Sequence, residues 1–112
     1  MPCGDRNKQI PKVIRKGMVA VLYSPGYGAG WYSWNTEYPE CLFDPEIVSM
    51  IEGGQREAVA VFADLKYGEG FYSGGADNLR IEWVRIGVRF EIAEQDGNER
   101  VRTFSPNDGI VA

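Results

Sequence analysis

The chain has 112 residues, 44% of them hydrophobic and 25% charged, with a net charge of −4. That size and balance describe one globular domain with a core of its own, and they exclude a disordered chain. The acidic excess argues against non-specific nucleic-acid binding, which needs many Lys and Arg contacts to phosphate. There is no His and there are two separated cysteines, Cys3 and Cys41, so neither a Cys/His zinc site nor a Ser-His or Cys-His catalytic pair can be assembled.

Residues 1–16 read as an N-terminal arm, polar and carrying Pro2 and Pro11 at its start. It has no apolar stretch of the signal-peptide kind, and no run in the chain approaches the ~18 apolar residues of a membrane span. The expected setting is therefore cytoplasmic, without a membrane partner. The domain proper is expected over residues 17–104, followed by a tail over 105–112.

Met18-Val19-Ala20-Val21-Leu22-Tyr23 is short and continuously apolar, the pattern of a strand buried on both faces. Ser24-Pro25-Gly26 stops it. Residues 24–41 follow no period and read as a long structured loop, with a short strand expected at Trp31–Trp34. Asp44-Pro45-Glu46 starts a helix: Asp44 caps, Pro45 suits the first position, and Glu46 suits the dipole. That helix ends by about Ile51, before Gly53-Gly54. A second helix is expected over Gln55–Tyr67, with Ala58, Val61, Phe62 and Leu65 as its buried face.

Leu79-Arg80-Ile81-Glu82-Trp83 and Val88-Arg89-Phe90-Glu91-Ile92 alternate as half-buried strands. A four-residue loop, Arg85 to Val88, would pair Trp83 with Phe90 and Ile81 with Ile92 on one face. A three-residue bulged turn would put Phe90 opposite Glu82 on the wrong face. Asp96-Gly97 is a type I′ hairpin signal that pairs Ile92 with Val101 inside and Glu91 with Arg102 outside. The whole is an α+β fold: an antiparallel sheet of about four strands with two helices packed on one face.

The segment that could carry function is Tyr23 to Tyr38. Half of the 14 aromatic residues lie between Tyr23 and Phe43, interleaved with Gly26, Gly28 and Gly30. Glycine lets backbone N–H groups approach a ligand, and aromatic rings offer stacking faces. Ser24, Tyr27, Gly28, Gly30, Trp31, Trp34 and Asn35 are the candidate ligand-binding residues. Gly74, Gly75 and Asp77 form a second glycine turn that could face them, and Arg89 could neutralise a phosphate. The dinucleotide fingerprint fails, since no third Gly follows at its spacing and no helix opens after the loop. The competing reading is structural: glycines shaping a tight loop, and Trp31 and Trp34 packed over the helices. Asp44, Glu46, Asp64 and Asp77 could supply the carboxylate pair of a hydrolase, but Asp44 and Glu46 are better explained as helix-end residues. No metal or cofactor is expected.

Gly28-Ala29-Gly30-Trp31-Tyr32-Ser33-Trp34-Asn35, read with Asp44-Pro45, Ile81-Glu82-Trp83 and Phe90-Glu91-Ile92, resembles a group of small bacteriophage and prophage proteins. These carry a Gly-Ala-Gly-Trp-x-x-Trp-Asn signature and a later Asp-Gly hairpin, and the likeness covers most of residues 17–103. The resemblance brings no established activity. It implies only a viral or prophage setting in a bacterial host cytoplasm, where small proteins often counter host defences, either by sequestering a nucleotide signal or by blocking a host protein. Three readings follow: a binder of a nucleotide-like small molecule, with a pocket that copies in a homo-oligomer would complete; an inhibitor that engages a host protein through the same aromatics; and, third, a hydrolase.

Overall fold

The computed structural model describes residues 10–103 and 109–112. Its strands are β1 (Ile14–Arg15), β2 (Met18–Tyr23), β3 (Arg80–Arg85), β4 (Arg89–Gln95), β5 (Asn98–Thr103) and β6 (Ile110–Val111), and its helices are α1 (Pro45–Glu52) and α2 (Val59–Tyr67). The mixture is α+β, but the strands form two three-stranded antiparallel sheets, ordered β1-β2-β3 and β5-β4-β6, rather than one sheet of four.

The reason lies in β2. Val19, Ala20, Val21 and Leu22 are all fully buried, so both faces of this strand need cover. Ala20 and Leu22 pack with Ile47, Val48, Val59 and Ala63 of the helices. Val19 and Val21 pack with Phe90, Ile92 and Val101 of the second sheet. The first sheet is thus the middle of three layers.

That arrangement overturns the expected pairing of Trp83 with Phe90. β3 pairs with β2, setting Val84 beside Val19 and Trp83 beside Ala20. Trp83 therefore belongs to the helix-side core and Phe90 to the sheet-side core. Arg85 to Val88 is a turn between the sheets: the Val88 N–H donates to the Arg85 carbonyl, and Gly87 takes φ 86°.

The Asp96-Gly97 turn forms as expected, both residues having positive φ (52° and 85°). Ile92 pairs with Val101 and Glu91 with Arg102, and the latter two form an ion pair across the strands. Ile92 and Val101 pack against the sheet-side core. Residues 14–15, read from sequence as arm, form β1 against β2, and residues 110–111, read as tail, form β6 against β4. Two-residue strands carry too little periodicity to be seen in sequence. The rest of the arm and tail readings fall largely on residues 1–9 and 104–108, outside the described residues.

Asp44 caps α1, accepting from the N–H groups of Glu46 (2.9 Å) and Ile47 (3.2 Å). Its other carboxylate oxygen accepts from the Tyr67 hydroxyl (2.6 Å) and the Lys66 ammonium (2.9 Å), which ties the end of α2 to the start of α1. This tie, with Tyr67 stacked on Phe71 at 4.8 Å, sets the rotation of α2. Val59 and Ala63 face the core. The expected core residues Val61 and Leu65 face outward instead, 64% and 83% exposed. Residues 56–58, expected as the first turn of this helix, form a tighter 3₁₀ turn.

Candidate functional site

The glycine and aromatic segment leaves β2 at Ser24 and crosses the end of the β4–β5 hairpin. It is held by one carboxylate that sequence reasoning did not single out. Glu99, at the start of β5, is 1% exposed. One of its oxygens accepts from the Ser24 N–H at 2.9 Å. The other accepts from the Trp31 N–H (2.7 Å), the Ser33 N–H (2.8 Å) and the Ser33 hydroxyl (2.7 Å). Every partner is a donor, so a buried group that would otherwise be costly is fully satisfied. The Glu99 N–H in turn donates to the Ser24 carbonyl at 2.9 Å. A signal for it was present in the sequence. In the hairpin register Glu99 sits opposite Glu94 and shares the inward parity of Val101, an unusual place for a charge.

Asn35, also buried, acts as a second pin. Its side-chain nitrogen donates to the carbonyls of Trp31 (2.6 Å) and Tyr72 (2.8 Å), and its oxygen accepts from the Tyr72 N–H (2.7 Å). This amide joins the first glycine loop to the residues that lead into the second. The expected strand at Trp31–Trp34 is instead a 3₁₀ turn, Tyr32–Trp34, because its N–H groups turn inward to Glu99 rather than to a neighbouring strand.

The two tryptophans separate. Trp31 is 0% exposed; its ring N–H donates to the Cys41 carbonyl at 2.8 Å, and Phe71 meets its ring edge-on at 5.1 Å. It is a core residue, as the structural reading expected. Trp34 is 43% exposed. It lies over Gly30, where an added Cβ would sit 2.4 Å from its ring, and 5.1 Å from the Tyr72 ring. Its ring N–H reaches a Glu94 carboxylate oxygen at 3.3 Å, which also accepts from the Gly97 N–H at 2.6 Å. The Tyr72 hydroxyl donates to the Gly28 carbonyl at 3.0 Å. Tyr27, 72% exposed, projects from the turn between Gly26 and Gly28.

The second glycine turn does face the first. Ser24 Oγ donates to the Gly75 carbonyl at 2.8 Å. A Cβ on Gly75 would lie 1.7 Å from the Ala29 carbonyl oxygen, so the two loops pack backbone on backbone. Gly97 of the hairpin turn closes on the same stretch, its Cβ position being 2.8 Å from the Ala29 nitrogen. These glycines allow close approach between parts of the protein. Gly28 donates its N–H to the Asp96 carbonyl and Ala29 to Gly26. With Ser24, Trp31, Ser33 and Asn35 also bonded internally, most of the donors that a ligand's oxygens would need are in use.

Gly74 and Asp77 are exposed beside this junction. Arg89 is not brought to it. It opens β4, whereas the glycine loop meets the far end of that strand, six residues and about 20 Å away. An open groove of about 250 Å³ lies on the hairpin itself, lined by Ala93, Gln95, Asn98, Arg100 and Arg102 among others; Arg102 there is engaged by Glu91. Of the candidate carboxylates, Asp44 and Glu46 share Lys66, while Asp64 and Asp77 are exposed elsewhere. Among the described residues, no three His, Cys, Asp or Glu side chains gather in a set that could hold a metal ion. No described helix is long and apolar enough to cross a membrane. Burial pushes the Cys41 thiol well above its ordinary range, away from reactive thiolate chemistry.

What remains at the surface is three exposed rings, Tyr27 and Trp34 on a loop fastened from inside by Glu99 and Asn35, and Tyr72 from the segment after α2, packed against Trp34. Compared with known proteins, the chain matches no family model, no curated sequence and no solved structure.

Proposed function

We propose that the protein is a binding module that engages a partner protein through the ridge formed by Tyr27, Trp34 and Tyr72. One observation carries this reading: the segment's backbone donors are largely used inside the fold, while three large rings stay exposed on a fastened frame. Trp and Tyr dominate interface hot spots, and a pre-ordered surface loses little entropy on binding. Exposed rings on a loop whose backbone donors are taken suit a protein surface better than an enclosed small ligand. The resemblance to phage and prophage proteins supplies a setting, a bacterial cytoplasm with a host protein as the partner blocked.

A nucleotide-like ligand stacked on Trp34 and Tyr72 is the competing occupant, and one experiment separates the two. Trp34→Ala and Tyr27→Ala are compared with the parent protein in affinity capture from host-cell extract, and by calorimetry with mononucleotides and dinucleotides. The expected result is a defined partner protein lost in both variants, with melting temperature within a few degrees of the parent and no nucleotide heat. Nucleotide binding lost about tenfold or more on Trp34→Ala would overturn the protein-partner reading in favour of a small ligand. Partner capture indifferent to both substitutions would remove the ridge from function altogether.

A further inference from the structure

We infer that the outward face of α2 is a second docking surface, shaped for a basic amphipathic helix of a partner protein. α2 is apolar on both sides. Val59 and Ala63 face the core, yet Val61 is 64% and Leu65 83% exposed, with Ala58 exposed and Phe62 half-buried beside them. A helix that is apolar all round is ordinarily covered all round. Among the described residues this face has no cover. Ala58, Val61 and Leu65 follow the three-and-four spacing that seats a partner helix, and the small Ala58 lets its backbone approach.

Charge selects the occupant. Counting about 100° per residue along α2 and about 120° through the 3₁₀ turn that leads into it, Glu57 and Asp64 lie on the same flank of the stripe, and both are exposed. On the opposite flank Lys66 is already taken by Asp44 (2.9 Å) and Glu46 (3.2 Å). The border of the stripe is therefore acidic. A second copy pairing antiparallel across this face would bring Glu57 beside Asp64 of its mate, like charge against like. An anionic membrane surface is repelled for the same reason. A helix presenting apolar anchors with Lys or Arg alongside satisfies both the stripe and its border.

The probe is a synthetic helical peptide of about three heptads with Leu at the apolar positions and Lys beside them, set against the same peptide with Glu in place of Lys. Amide shifts of the labelled protein are followed during titration. The expected result is saturable shifts centred on residues 57–66 with the Lys peptide only, weakened by salt. Val61→Ala with Leu65→Ala should weaken binding about tenfold or more, while Glu57→Lys with Asp64→Lys should transfer preference to the Glu peptide. All four sites are exposed, so unchanged melting curves verify the fold. Shifts located elsewhere, equal binding of both peptides, or no binding would each overturn the proposal. So would a concentration-dependent dimer abolished by Leu65→Ala, which would assign the face to a second copy.

Discussion

Replacing Glu99 tests whether one buried carboxylate organises the aromatic loop. In Glu99→Gln one acceptor oxygen becomes an NH₂ donor. The better orientation keeps the amide oxygen where three bonds converge, from the Trp31 N–H, the Ser33 N–H and the Ser33 hydroxyl. The NH₂ then faces the Ser24 N–H, donor against donor, in a site where Ser24 and Glu99 are both buried. An unsatisfied buried donor costs about 1–3 kcal/mol, and the remaining bonds lose the strength that a charged acceptor lends them. The expected loss is about 2 kcal/mol, or roughly 10 °C in melting temperature for a domain of this size. Glu99→Ala strands all four donors and should cost about 4 kcal/mol or more, a large part of the ~5–15 kcal/mol that a domain holds. Urea denaturation gives the free energies, and hydrogen exchange at the Trp31 and Ser33 amides locates the effect. A Glu99→Gln protein within about 0.5 kcal/mol of the parent, with both amides still protected, would refute the account.

Asp44→Ala should cost about 2–4 kcal/mol by denaturation, more than the ~0.5–2 kcal/mol of a cap alone, because Lys66 and Tyr67 lose their partner as well. A loss confined to the cap range would mean that the tie between the helices contributes nothing. Gly75→Ala meets the Ala29 carbonyl head-on and should destabilise by about 3 kcal/mol, whereas Gly28→Ala has open space and a positive φ of 76° and should cost only about 1 kcal/mol; equal melting temperatures for the two variants would contradict the packing described. Burial raises the Cys41 thiol from its ordinary 9.0, so above that pH the unfolded chain releases this proton while the folded one keeps it. Stability should be unaffected by this group below pH 9 and then fall by about 1.4 kcal/mol per pH unit. From pH 10 Tyr67, raised by burial and by its bond to Asp44, adds in the same direction. Denaturation midpoints should hold level from pH 8 to 9, slope downward from pH 9 to 10, and flatten over that last interval in Cys41→Ala; a level profile in the parent from pH 9 to 10 would show the reasoning to be wrong.

Local chemistry was legible in the chain wherever neighbours in sequence are also neighbours in space. Asp44-Pro45 encodes a helix start because the cap reaches only two or three residues on. Asp96-Gly97 encodes its hairpin because two consecutive positive φ angles define the turn, and the turn sets the register of Ile92 with Val101. The unbroken apolar run of β2 announced a strand buried on both faces. What covers each face is a tertiary matter. Trp83 and Phe90 were assigned to one sheet because alternation tells that two residues point inward, but not that they point into different cores. Val61 and Leu65 were assigned to the core because periodicity identifies an apolar stripe, while the rotation of α2 is set by Tyr67 and Lys66 reaching Asp44 from 23 and 22 residues away. The fates of Trp31 and Trp34, three positions apart with the same side chain, were decided by Glu99 and Asn35. These draw the Trp31 backbone inward and leave Trp34 lying over Gly30 at the surface. The hairpin register shows Glu99 at the inward parity of Val101, but the donors it gathers lie 66 to 75 residues distant and have no signature in any short window, because the hydrogen bonds that justify its burial exist only once the chain has folded.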